Sequence, residues 1–194
     1  MELRIAGPND WTEIAAVHAA SWRDSYRGIL SDAYLDGQVL SERIGVWRRR
    51  FRAPQASQYV VVAEDQAAIV GFGCAYGNED HELGTKLDNL HVLPTQKRRG
   101  IGTMLIENIA SWSSGNHPGK GVFLWVFEQN LPARQFYERL GGIVAGDTIW
   151  TASDGTAVKS LRYVWKHADE LVRSAKNAFK PGDEQLGSSA RNFG

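Results

Sequence analysis

The sequence predicts a mixed α/β fold in one domain, and three observations carry that reading. Strand-like and helix-like stretches alternate in the order strand, helices, three strands, helix, strand, helix, two strands. The 194 residues, 43% of them hydrophobic, suffice for one domain with a substantial core. Over residues 89–105 a strand, a glycine turn carrying positive charge and a helix follow one another, and the rest of the chain is organised around them.

Taken in order, Leu3-Arg4-Ile5 reads as a short first strand, stopped by Gly7-Pro8. Asn9 or Asp10 then caps a helix in which Ile14, Val17, His18 and Trp22 share a face. A second helical region follows Ser31, and a third runs from about Ser41 to Phe51. Within the third, Trp47-Arg48-Arg49-Arg50-Phe51-Arg52 is the densest basic run and reads as a solvated helix face. Two β-rich runs, 59–63 and 68–76, are joined by a hairpin at Glu64-Asp65-Gln66-Ala67. Gly77 to Gly84 reads as a polar, acidic loop before the strand around Leu87 to Val92.

Pro94 ends that strand, because it has no N–H for the ladder. Ile101, Leu105, Ile109 and Trp112, with Met104 beside them, recur at helical spacing. After a loop at 115–119 comes the strand 121–126. Asn130 caps a further helix with Pro132 in its first turn, the apolar face Ala133, Phe136, Tyr137 and Leu140, and a stop at Gly141-Gly142. A last hairpin pairs 143–151 with 157–165 across Ser153-Asp154-Gly155. Residues 167–179 can form one more amphipathic helix, on this core or on a partner, and 181–194 read as disordered.

Acidic and basic residues balance at 22 each, which points away from nucleic acid and membrane surfaces as partners. No apolar run approaches a membrane span and no signal peptide is visible, so a soluble, cytoplasmic protein is expected. The single cysteine, Cys74, lies in an apolar run and reads as a buried, inert thiol, which suits a reducing compartment. His81-Glu82-Leu83-Gly84-Thr85 begins like a zinc-protease helix but has Thr85 where the second histidine belongs, so no metal is expected. Gly115 to Lys120 is one residue short of a phosphate-binding P-loop and leads into a strand.

The turn at Gly100-x-Gly102 is the most informative stretch. A helix entered there leaves backbone N–H groups pointing out of its first turn, and two glycines let a ligand approach them closely. The helix dipole and Lys97, Arg98 and Arg99 favour a phosphate at the same spot. An ordinary turn with a solvated basic cluster fits these residues equally well.

Gln96-Lys97-Arg98-Arg99-Gly100-Ile101-Gly102 resembles the acyl-CoA signature of the GNAT superfamily of N-acyltransferases, Arg/Gln-x-x-Gly-x-Gly/Ala between the fourth strand and third helix. Lys97 stands where the family usually has Arg or Gln. Residues 130–142 resemble a second family signature, Asn-x-x-Ala-x-x-Phe-Tyr-x-x-x-Gly-Phe, changed only at the last position, to Gly142. The resemblance spans roughly residues 3–165. It implies a GNAT-like α/β (α+β) fold, a mixed, mostly antiparallel sheet of about seven strands flanked by helices. The domain would cover residues 1–166, with a C-terminal extension at 167–194.

The implied activity is acetyl transfer from acetyl-CoA to a primary amine by direct attack. By the same resemblance, backbone groups of Leu90 and Val92, flanking His91, hold the pantetheine arm, and an amide near Val92 polarises the thioester. The stretch Lys97, Arg98, Arg99, Gly100, Ile101, Gly102 and Thr103 meets the pyrophosphate. Asn130, with Ala133 and Phe136, contacts pantetheine, and Tyr137 serves as general acid, although taken alone Tyr137 is equally a core residue.

Many family members carry a glutamate base fourteen residues before the first motif glycine; here that position is Lys86, and Asp88, Glu82, His81 and His91 are the nearby alternatives. Trp22, Tyr26 and Tyr34 suit either the helical core or an apolar, cation-friendly acceptor pocket, and their segment resembles small-amine or polyamine acetyltransferases. Two rival functions are acetylation of a protein or peptide amine and a non-catalytic acyl-CoA sensor. A homodimer is the family analogy.

Overall fold

The computed structural model describes residues 1–178. Its strands are β1 (Glu2–Ile5), β2 (Gln58–Asp65), β3 (Ala68–Asp80), β4 (Gly84–Val92), β5 (Val122–Phe127), β6 (Ile143–Thr151) and β7 (Ala157–Trp165). The helices are α1 (Trp11–Ser25), α2 (Asp32–Gly37), α3 (Val39–Arg52), α4 (Ile101–Asn116), α5 (Leu131–Arg139) and α6 (Ala168–Ala178). One seven-stranded sheet has the order β1-β2-β3-β4-β5-β7-β6, antiparallel except between β4 and β5.

The exception shapes the molecule. β4 and β5 pair only at Thr85↔Val122 and Lys86↔Phe123 and then diverge. Their joined end is tight: a Cβ on Gly84, whose φ is +85°, would lie 2.5 Å from the Gly121 carbonyl oxygen. Thr85 Oγ1 and Ser113 Oγ, both buried, share a hydrogen bond of 2.6 Å that ties this end to α4. On the other side of β4 the register slips: Cys74 faces Asn89 but Ala75 faces Leu87, so Asp88 is an unpaired bulge residue. A bulge bends its strand and adds twist, which here carries β4 away from β5.

Two apolar layers cover the sheet. α4 and α6 pack on one face, where Ile101, Leu105 and Ile109 meet Val61, Val70, Leu87 and Leu124, and Leu171 and Ala175 of α6 join the same core. α1 and α3 cover the other face through Ile14, Val17 and the wholly buried Trp47, against Val60, Val62, Phe72 and Cys74. A third cluster joins the end of α1 and α2 to the β6–β7 hairpin through Trp22, Tyr34, Leu35, Ala152 and Val158. Burial pushes the Cys74 thiol up to about 12, which leaves it protonated and inert at neutral pH.

The structure departs from the sequence reading in several places, each for a physical reason. Asp10 occupies the N-cap of α1 without a side-chain cap bond, because its carboxylate is taken by Arg4 (2.6 Å) and by the Gly7 N–H (2.7 Å). The Gly77–Gly84 loop shrinks to the turn 81–83, since β3 continues to Asp80 and β4 begins at Gly84. The basic run is not wholly solvated: Arg48, Arg49 and Arg52 are exposed, whereas Arg50 folds under the sheet to Asp88 and Asn89, 2.7 Å from each. Gly142, the departure from the second signature, lies under Trp165, whose Cζ2 would be 2.7 Å from any Cβ there. Phe179 and the tail 181–194 lie outside the described residues.

Candidate active site

The divergence of β4 from β5 opens a cleft of about 1290 Å³ that runs from the N-terminus of α4 to α5. At its mouth Arg98 (φ +63°) and Gly100 (φ +79°) both take left-handed conformations, turning the chain sharply into the helix. Met104 is the first residue to close a helical bond, to Gly100 at 3.0 Å. The N–H groups of Ile101, Gly102 and Thr103 therefore have no backbone acceptor among the described residues. Free amides, the positive helix end and a glycine surface at one cleft mouth make a cradle for a phosphate.

Most of the expected cofactor residues meet in this cleft. Leu90, His91, Val92, Lys97, Arg98, Gly100, Ile101, Gly102, Thr103, Asn130, Ala133, Phe136 and Tyr137 all line it. Arg99 does not; its guanidinium turns to Gln96 and to Asp65, 3.5 Å away on β2, so only its backbone is placed at the turn. Lys97 is tethered to the end of α1, with Nζ 2.6 Å from Asp24 and 3.1 Å from Ser25.

Asn130 caps α5, its side-chain oxygen accepting from the Ala133 N–H at 3.3 Å. That bond fixes the start of the helix and hence the projection of Tyr137 two turns on. Tyr137 is buried among Phe136, Tyr163 and Trp165, and its hydroxyl has no protein partner among the described residues. Burial, then the neighbouring Tyr26, hold its pKa above the usual tyrosine value, so the hydroxyl remains a donor at neutral pH.

A second pocket, of about 560 Å³, lies on the other side of the split. Tyr26, Leu87, Asp88, Asn89, His91 and Trp125 line both cavities, so the two meet through the gap between β4 and β5. Trp22 lines the second pocket, packed edge-on against Tyr26 at 5.1 Å and Trp150 at 6.2 Å. Trp22 thus belongs to the helical core and to a pocket wall at once. Tyr34 is wholly in the core, its hydroxyl donating to Glu42 at 2.7 Å.

The candidate bases fare poorly. Asp88 bridges Arg50 (2.7 Å) and Lys86 (2.9 Å). Burial alone would raise its carboxyl, but those two charges outweigh it and hold it below the ordinary carboxylate range. His91 faces α1, its Nδ1 3.1 Å from Ser21 Oγ and its ring 4.3 Å from that of His18. Burial, then the charges of Arg43 and Lys97, push it down to about 3, leaving it neutral and weakly basic. His81 and Glu82 sit on the β3–β4 turn and line neither cavity.

The Asp88 network carries a pH signature. Asp88→Asn leaves Arg50 and Lys86 without their carboxylate and should cost about 2 kcal/mol at pH 7. Because the folded carboxyl titrates below its unfolded value, that contribution is complete above about pH 4 and lost as pH falls through the lower folded value. Denaturant unfolding of both proteins from pH 7 to pH 3 should therefore show a gap that is constant above about pH 4 and begins to narrow below it. A gap constant with pH would contradict it.

Sequence reasoning missed Arg43, Arg50, Trp125 and Trp150, all of which line the second pocket. Arg43 lies 4.5 Å over the Trp22 ring, and its Nε is buried with no hydrogen-bond partner among the described residues. Arg43 and Arg50 share α3, but Trp125 is on β5 and Trp150 on β6, so no local motif unites the four.

The acetyltransferase (GNAT) family model matches residues 14–142. The chain belongs to that family. Its members are acyltransferases that use acetyl-CoA as cosubstrate and act on amines. The chain is 29% identical over 177 residues to Probable N-acetyltransferase Rv2775 of Mycobacterium tuberculosis, covering 90% of this chain and 95% of that one. It is 30% identical over 139 residues to Uncharacterized N-acetyltransferase YuaI of Bacillus subtilis, covering 70% and 76%. The fold matches PaiA N-acetyltransferase of Thermoplasma acidophilum, solved in complex with coenzyme A, with a TM-score of 0.67 at 19% identity, covering 85% of this chain and 100% of that one. Among the described residues no helix is long and apolar enough to cross a membrane.

Proposed function

We propose that this GNAT-family protein transfers an acetyl group from acetyl-CoA to the primary amine of a small molecule by direct attack, without a covalent enzyme intermediate. The observation that carries the reading is the pair of cavities joined through the β4–β5 gap. One ends at the free amides of α4 and suits a long phosphate-bearing thioester; the other suits a second, smaller reactant. Bound acetyl-CoA supplies an activated carbonyl: a C–N bond forms, the C–S bond breaks, and the thiolate leaves.

The chain's own residues then have distinct tasks. The N–H groups of Ile101, Gly102 and Thr103 hold the pyrophosphate. Beyond Lys86, the edge of β4 that faces β5 has no strand partner among the described residues, so the backbone at Leu90 and Val92 is open to bond the pantetheine amides and polarise the thioester. Asn130 fixes α5, and Tyr137 donates to the departing thiolate. With Asp88 and His91 both weak bases, the amine enters as its free base or gives its proton to water. Positioning is then the chief catalytic contribution.

A small acceptor is favoured over a protein chain by the size of the second pocket, about 560 Å³. Ser31 donates to Asp154 and Ser153 donates to Glu42 at 3.0 Å, tying the tip of the β6–β7 hairpin to α2 and α3. All the residues given roles here lie within the proposed catalytic domain, 1–166.

The test is thiol release from acetyl-CoA across a panel of amines, amino acids, polyamines, aminoglycosides and short peptides. Amine-dependent release with small acceptors is the expected result. Release with peptides alone supports the protein-acceptor rival, and tight CoA binding with no release supports the sensor.

A further inference from the structure

The charge of the second pocket says what kind of amine it takes. Its walls are aromatic, with Trp22, Tyr26, Trp125, Phe127 and Trp150 around an opening of about 560 Å³. Three cations line it, Arg43, Arg50 and Lys86, against one carboxylate, Asp88. Asp88 has both oxygens occupied, one by Arg50 and one by Lys86, so it offers little to an ammonium group. Arg50 spends its remaining terminal nitrogen on Asn89 at 2.7 Å.

Two cations keep unspent donors. Lys86 is paired to Asp88 alone among the described residues, leaving two of its three N–H bonds. Arg43 gives one terminal nitrogen, Nη2, to Glu42, which does not line the pocket, and its Nη1 has no hydrogen-bond partner among the described residues. A bound carboxylate takes such open ammonium and guanidinium donors through charge-assisted hydrogen bonds.

Resting on the acetyl-transfer reading above, we propose that the acceptor is an amine that also carries a carboxylate and an apolar, ring-sized body, as an aromatic amino acid does. The carboxylate meets Lys86 and Arg43, the body packs against the tryptophans, and the amine is left facing the β4–β5 gap. Excess positive charge works against a polyamine, which brings further cations beside Arg43, Arg50 and Lys86. Lys86, where relatives with a catalytic carboxylate carry glutamate, then serves binding and not proton transfer. Trp22 and Tyr26 still line this pocket, as walls for a ring and not as a cage for a cation.

The test compares matched acceptors in the thiol-release assay: tryptophan against tryptamine, phenylalanine against phenethylamine, and spermidine. The acids should show kcat/KM about tenfold or more above their decarboxylated partners and above spermidine. Lys86→Met should bring the acid-to-amine ratio close to one through KM, and Lys86→Arg should restore most of it. Faster release with tryptamine, phenethylamine or spermidine overturns this inference and leaves acetyl transfer standing. A ratio unchanged in Lys86→Met overturns the role given to Lys86. No release with any amine, while acetyl-CoA still binds, overturns the acetyl-transfer reading and this inference with it.

Discussion

Tyr137→Phe is expected to lower kcat by about 100-fold or more while leaving the dissociation constant for CoA within about threefold. The hydroxyl is the only atom removed, and it makes no protein hydrogen bond among the described residues, so packing against Phe136, Tyr163 and Trp165 survives. Its role is confined to the moment when charge appears on sulfur. Burial and Tyr26 hold the hydroxyl above the usual tyrosine value, whereas a free thiol ionises near about 8.5, so complete proton transfer to the thiolate is uphill. Tyr137 therefore acts mainly by donating a hydrogen bond to the developing thiolate, with solvent completing the proton transfer. The same raised pKa keeps Tyr137 protonated across the range in which the amine loses its proton, so it should impose no alkaline limit below about pH 10. Steady-state kinetics with CoA titration checks both halves. Equal loss of turnover and CoA affinity would make Tyr137 a packing residue of the cleft wall.

The cofactor half of the site was legible because its residues are local. Gly100-x-Gly102 places its functional groups within one helical turn, the Asn130 cap sets Tyr137 two turns on, and strand–turn–helix order follows from hydrophobic period alone. The β6–β7 hairpin was equally plain, since Ser153-Asp154-Gly155 supplies the turn and Gly155 the left-handed φ of +83°. The acceptor half was legible only in part, through Trp22 and Tyr26, which line the second pocket. Arg43 and Arg50 come from α3, Lys86 and Asp88 from β4, and Trp150 from β6, joined only by the fold. Arg50 reads as surface in a run of arginines until Asp88 is known to face it. The Asp88 bulge itself breaks the two-residue period from which its direction would have been inferred.

Gly102→Asp separates the needs of the fold from those of the cofactor, because the two should respond with opposite signs. Gly102 is in the first turn of α4 with an ordinary helical φ, and a Cβ there would meet Phe136 Cζ at 3.6 Å, a normal contact. The fold therefore accepts a side chain. A carboxylate near a helix N-terminus contributes about 0.3–1 kcal/mol, and replacing glycine inside a helix relieves some of its entropic cost. Tm should hold or rise by a few degrees. CoA binding should fall by about 100-fold, close to 2.7 kcal/mol, since the new charge stands where the pyrophosphate needs free amides and the positive helix end. Gly102→Ala resolves the cause: a small loss there with a large one for Asp makes repulsion the dominant effect, whereas similar losses make it crowding of the backbone approach. Calorimetric titration of CoA beside thermal unfolding measures both responses. Undiminished affinity in a folded Gly102→Asp protein would mean that the phosphates do not sit on this turn, and the assignment of the cleft would have to be reversed.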